Sequence, residues 1–97
     1  MIIKTLNRMN VAGKISENGY GNEFLVTFTK ADGTIRNLHG VMPKRKFEGL
    51  AYDTDEKGLL PVVDIELARL KKMPFRMVPL KRLHALTIGD ITYNIVD

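Results

Sequence analysis

The chain has no cysteine. That single absence removes disulfides, thiol nucleophiles and thiolate metal sites together. It fits a reducing compartment. Tryptophan is also missing, and aromatic residues make up only 7% of the sequence. No apolar stretch approaches the roughly 20 residues of a membrane span. A secretory leader needs an apolar run of about 7–15 residues after its first charges. Here the opening run Met1-Ile2-Ile3 is broken at Lys4. These absences predict a soluble, cytoplasmic protein without a membrane partner. Internal repeats and low-complexity segments are absent too. The 97 residues are expected to form one domain, with 44% hydrophobic content supplying its core.

Chemistry-bearing motifs are equally scarce. The run Asp53-Thr54-Asp55-Glu56-Lys57-Gly58 has the look of a calcium loop. It lacks the further oxygen ligands and the closing glutamate that an EF-hand needs at fixed offsets. His39 and His84 are the only histidines. No spacing gives either one an orienting partner and a nucleophile, so no catalytic residue is assigned. There is no glycine-rich phosphate loop, and no cofactor or metal is implied. The expectation is a protein that is not an enzyme.

What is present is β structure. Phe24, Val26 and Phe28 share one face at a period of two, and Thr27 and Thr29 share the other. Ala31-Asp32-Gly33 supplies a turn in which Gly33 can take positive φ. The second strand of this hairpin, 34–42, alternates less cleanly, and Gly40 suggests a bulge or bend. Residues 43–58 read as a long loop pinned by Phe47, Leu50 and Tyr52. A strand is expected over 59–67, with Val63, Ile65 and Leu67 on one face and Asp64 and Glu66 on the other. Ala68 to Lys72 connect it to a strand from Pro74 to Val78, with Phe75 and Met77 inward and Arg76 outward. Pro79 ends that strand. Leu80 to His84 fit a single 3₁₀ or helical turn. Ala85–Ile88, a two-residue turn at Gly89-Asp90, and Ile91, Tyr93 and Ile95 complete a last hairpin.

Residues 1–22 form an N-terminal arm. Ile2, Leu6 and Met9 suit a short amphipathic helix, while β-branched Ile2, Ile3 and Thr5 suit a strand. Asn18-Gly19-Tyr20-Gly21-Asn22 breaks the chain before the β region at 23–97. The reading is a mainly β protein: a small antiparallel barrel of five to six strands, with a short N-terminal helix or arm and a 3₁₀ turn.

Charge is unevenly laid out. The net charge is +4. Lys30 to Lys46 hold five bases and one acid, 47–68 hold six acids and one base, and Arg69 to His84 hold six bases and no acid. Basic patches concentrate anionic partners. The candidate nucleic-acid-binding residues are Lys30, Arg36, Lys44, Arg45 and Lys46 in the first block. Arg69, Lys71, Lys72, Arg76, Lys81 and Arg82 make up the second. Phe47 or Tyr52 could stack on bases. No recognition helix is visible, so RNA or single-stranded DNA is the expected nucleic acid. The N-terminal apolar set and unpaired strand edges offer a second possibility, a host protein or a second copy of the chain.

The segment Val26-Thr27-Phe28-Thr29-Lys30-Ala31-Asp32-Gly33-Thr34-Ile35-Arg36 resembles the opening hairpin of a family of small bacteriophage proteins. That family is described as WYL-like, with an Sm-like, SH3-type β-barrel. Val62-Val63-Asp64 is similar to its second element, and Phe75-Arg76-Met77-Val78-Pro79-Leu80-Lys81-Arg82-Leu83 to its third. The likeness spans about residues 24–88. A tryptophan expected near Val63-Asp64 is absent. The resemblance implies a phage accessory protein in the host cytoplasm. Such a barrel could bind RNA, or inhibit a host factor such as a defence toxin or a transcription component.

Overall fold

Phe24, Val26 and Phe28 are buried, and Leu25, Thr27 and Thr29 are half-buried between them. Aromatic and β-branched residues at this period make the strand that carries them the centre of the fold. The structure, a computed structural model, describes residues 1–19, 22–42 and 58–97. Its strands are β1 (Ile2–Asn7), β2 (Phe24–Thr29), β3 (Ile35–Val41), β4 (Leu59–Asp64), β5 (Phe75–Pro79), β6 (Leu83–Ile88) and β7 (Ile91–Val96). Helix α1 (Val11–Asn18) follows β1, and helix α2 (Ile65–Arg69) follows β4. Two 3₁₀ turns, Arg8–Asn10 and Leu80–Arg82, precede α1 and β6.

Among the described residues seven strands form one sheet in the order β1-β7-β6-β2-β3-β4-β5. The fold is therefore mainly β, with more strands than the five to six expected. It departs from the antiparallel expectation at one seam, where β1 runs parallel to β7 from Ile2↔Ile91 to Asn7↔Val96. Residues 2–7 of the N-terminal arm are therefore a strand, and the arm's helix falls later, at Val11–Asn18. β-branched Ile2, Ile3 and Thr5 pair with β7, and the helical spacing goes unused, leaving Met9 90% exposed. Among the described residues β1 and β5 do not pair, so the sheet is not a closed barrel. It nevertheless curls. Leu60, Val62 and Val78 from one end join Leu86 and Tyr93 from the other in a single core cluster. The four-residue step from Pro79 to Leu83 spans at most about 14 Å, less than the roughly 19 Å that a flat sheet would set between β5 and β6 with three strands between them. Val11 and Ile15 of α1 complete that cluster.

Two alternations run opposite to expectation. In β4 it is Leu60, Val62 and Asp64 that are buried, not Val63. The strand stops at Asp64 because the Asp64 carboxylate accepts from the Leu67 amide, 3.2 Å away, and caps α2. Ile65 and Leu67 are therefore helical, not part of a longer strand. In β5, Val78 is buried and Phe75 is 45% exposed. The register pairs Leu60 with Val78 and Val62 with Arg76. Arg76 consequently lies on the same face as Val78, which corrects its outward assignment. Apolar residues occupy both parities of 75–78, so alternation alone cannot choose.

The bulge sits on β6, not at Gly40. Thr27 pairs with Ala85 and Phe28 with Leu83, which leaves His84 as the extra residue. The long-loop assignment over 43–58, with Phe47, Leu50 and Tyr52 as its pins, lies outside the described residues except for Gly58, as does most of the acidic run. Among the described residues no helix is long and apolar enough to cross a membrane.

Candidate nucleic-acid interface

Lys30 opens the hairpin turn. Its amide donates to the Thr34 carbonyl at 2.8 Å, and the Gly33 amide donates back to the Lys30 carbonyl at 2.9 Å. Gly33 takes φ +90°, a conformation glycine adopts at no steric cost. The Asp32 carboxylate accepts from the Thr34 hydroxyl at 2.7 Å and the Thr34 amide at 3.0 Å. Those hydrogen bonds, the hydroxyl first, hold the Asp32 carboxyl below its ordinary value, and the Lys30 charge adds to the effect. Asp32 thus belongs to the turn.

Arg36 projects from β3 and is half-buried. Its Nη2 donates to Asp64 Oδ2 at 2.8 Å, and Asp64 is only 3% exposed. The carboxylate that caps α2 therefore also anchors this guanidinium. Arg76, half-buried on β5, donates from Nη1 to the Phe75 carbonyl at 2.8 Å. Arg82 stands exposed on the 3₁₀ turn before β6. That turn is gripped from behind by Arg8, whose Nη1 donates to the Leu80 and Leu83 carbonyls. The Arg8 Nε pairs with Asp97 Oδ1 at 2.6 Å.

Lys30, Arg36, Arg76 and Arg82 line one cleft of about 290 Å³. Phe28, Leu38, Met77 and Pro79 supply its apolar walls. Four cations from four different elements therefore share one concavity, and among the described residues only Arg36 is matched by a carboxylate. Among the described residues, neither the Lys30 nor the Arg82 side chain forms an ion pair. Guanidinium groups present a planar fork that suits phosphate oxygens, and clefts of one sign focus potential. A second hollow of about 330 Å³ beside α1 has no such bias, because its Lys14 and Glu17 pair with each other at 3.3 Å.

The remaining sequence candidates fall elsewhere. Arg69 ends α2, and Lys71 and Lys72 follow it, exposed, without lining the cleft. Lys81 shares the 3₁₀ turn with Arg82 but does not line the cleft. Lys44, Arg45 and Lys46, with Phe47 and Tyr52, lie outside the described residues. Sequence reasoning missed the apolar walls and Arg8. Arg8 carries no local signal, since its partners lie 72, 75 and 89 residues away.

Each histidine engages one side chain. His39 Nε2 lies 2.9 Å from Glu23 Oε2, and His84 Nε2 lies 2.5 Å from Thr29 Oγ1. Among the described residues no group of three or more His, Cys, Asp or Glu could hold a metal ion. Comparison of the chain with protein-family models, curated proteins and solved structures finds no match.

Proposed function

We propose that the protein is a non-enzymatic module that binds RNA or single-stranded DNA through this cleft. The observation that carries the reading is the convergence of Lys30, Arg36, Arg76 and Arg82 around an apolar hollow. Single strands suit such a site because their backbone can follow a basic groove while a base leaves the stack. Fold and resemblance bear on the same reading. The curled sheet, with a 3₁₀ turn directly before β6, supports an SH3- or Sm-like barrel left open between β1 and β5. In this reading the chain is a bacteriophage accessory protein acting in the host cytoplasm.

Fluorescence anisotropy with a labelled single-stranded 12-mer tests it. Each phosphate contact contributes about −0.7 to the slope of log K against log salt for single strands. Reversing both Lys30 and Arg82 to Glu should therefore flatten that slope by about 1.4 and weaken binding at low salt. Reversing Lys71 and Lys72 should change it less. Absence of binding to RNA and DNA at low salt sinks the proposal.

A second reading is favoured by the sheet edges. The outer sides of β1 and β5 have no strand partner among the described residues, and Ile2, Ile3, Leu70 and Met73 are exposed near them. An edge of this kind can pair with a host factor, such as a defence toxin or transcription component, or with a second copy. A stoichiometric partner that survives nuclease treatment in a pull-down from infected cells favours this reading over the first.

A further inference from the structure

We infer that the cleft takes one unstacked nucleotide of a single strand and prefers a base with a carbonyl at the edge farthest from its sugar, uracil or guanine, over cytosine, which has an amino group there. The inference rests on the nucleic-acid reading above and narrows it. Its first support is size. At about 290 Å³ the cleft lies at the lower limit of the roughly 300–1,000 Å³ of small-molecule sites. That is room for one planar base with its sugar and phosphate, and too little for a stacked pair.

The second support is the layout of its lining. A groove that only tracked a phosphate backbone would need no apolar wall, yet Phe28, Leu38, Met77 and Pro79 supply one. Arg36 and Arg76 are half-buried, whereas Lys30 and Arg82 are exposed. A base lying against the wall would meet the two half-buried guanidiniums, and its flanking phosphates would meet the two exposed cations.

The third support is hydrogen-bond polarity. A guanidinium carries five donors and no acceptor. One donor of Arg36 goes to Asp64 and one of Arg76 to the Phe75 carbonyl. The donors that remain can serve a base carbonyl. Uracil, like thymine, places an acceptor oxygen at the ring position where cytosine places an amino donor, and guanine offers O6 and N7 together. With the sugar and phosphates held at exposed Lys30 and Arg82, the edge that reaches the arginines is the one farthest from the sugar. There cytosine places its amino group, its O2 carbonyl lying back beside the sugar. Donor would then face donor, which is unfavourable in a desolvated site.

Competition anisotropy on the full chain decides the matter. The competitors are a uridine 12-mer, a cytidine 12-mer and an abasic strand of equal length. The uridine strand should compete about fivefold or more better than the cytidine strand, and the abasic strand worst of the three. The variant Arg76→Lys keeps the charge and removes the fork. It should bring the uridine-to-cytidine ratio toward one. Equal competition by all three strands overturns this inference and leaves the nucleic-acid reading standing. Better competition by cytidine overturns it as well. A uridine preference that Arg76→Lys does not reduce removes its assignment to this cleft. Competition by none of the strands, with no direct binding, overturns both readings.

Discussion

Gly40 shows how much a single hydrogen can decide. A Cβ at this position would lie 2.3 Å from Val62 Cγ1 and 3.0 Å from the Val63 carbonyl oxygen. Val62 is fully buried and has no space to swing into. The glycine therefore lets β3 and β4 meet where Gly40 pairs with Asp64. Gly40→Ala should cost about 1–3 kcal/mol through overpacking. Urea denaturation measures that loss, and Val62→Ala in the same background should recover part of it. An unchanged urea midpoint would show that the strands can separate freely here. The sequence marks this glycine without saying why it is needed, since its neighbours come from a strand more than twenty residues later. Asp32 is the opposite case. Its partner Thr34 is two residues away, so its role could be read directly. The burial of Asp64 has no such local mark, since its second partner, Arg36, is 28 residues distant.

Among the elements, the β4–α2–β5 connection departs furthest from the sequence pattern. Val63, Ile65 and Leu67 continue a period of two beyond Asp64, and a five-residue helix is too short to impose a period of its own. The cap at Asp64 was the available signal, with Glu66 in the first turn favouring the helix start. At the other end, the Lys71 amide donates to the Ala68 carbonyl and the Lys72 amide to the Leu67 carbonyl, both at 3.0 Å. This is a Schellman closure, and it puts Lys71 at φ +56°. Left-handed backbone disfavours a residue with a Cβ by about 1–2 kcal/mol. Lys71→Gly should therefore stabilise the protein by about 0.5–1 kcal/mol after the added chain entropy of glycine is deducted. A rise in the denaturation midpoint checks this, and a fall would mean that the lysine side chain contributes more than its backbone loses. The β2–β3 hairpin, by contrast, was legible in its first strand, its turn and its pairing, because these lie within 18 consecutive residues, although Gly40 carries no bulge.

At the scale of the whole molecule, the cleft was legible in its parts and not in its assembly. Lys30, Arg36, Arg76 and Arg82 all stand out as bases in the sequence. Their meeting depends on the curl of the sheet, which no local pattern encodes. Arg8 carries that dependence across the chain by bonding the carbonyls on either side of Lys81 and Arg82. Arg8→Ala leaves those carbonyls without their charged donor and should cost about 2 kcal/mol. It should also weaken single-strand binding without touching the cleft directly. Thermal melts and anisotropy read the two effects, and a variant that melts early yet binds normally would separate the clamp from the site. The parallel seam between β1 and β7 has a consequence in time. Of the described strands β1 is made first, while its partner β7 is made last. Its backbone groups on that side stay hydrated until the sheet from β2 to β6 can form, and closing so long a loop is slow. Newly made chains should therefore carry the β2–β3 hairpin before the β1–β7 seam can close.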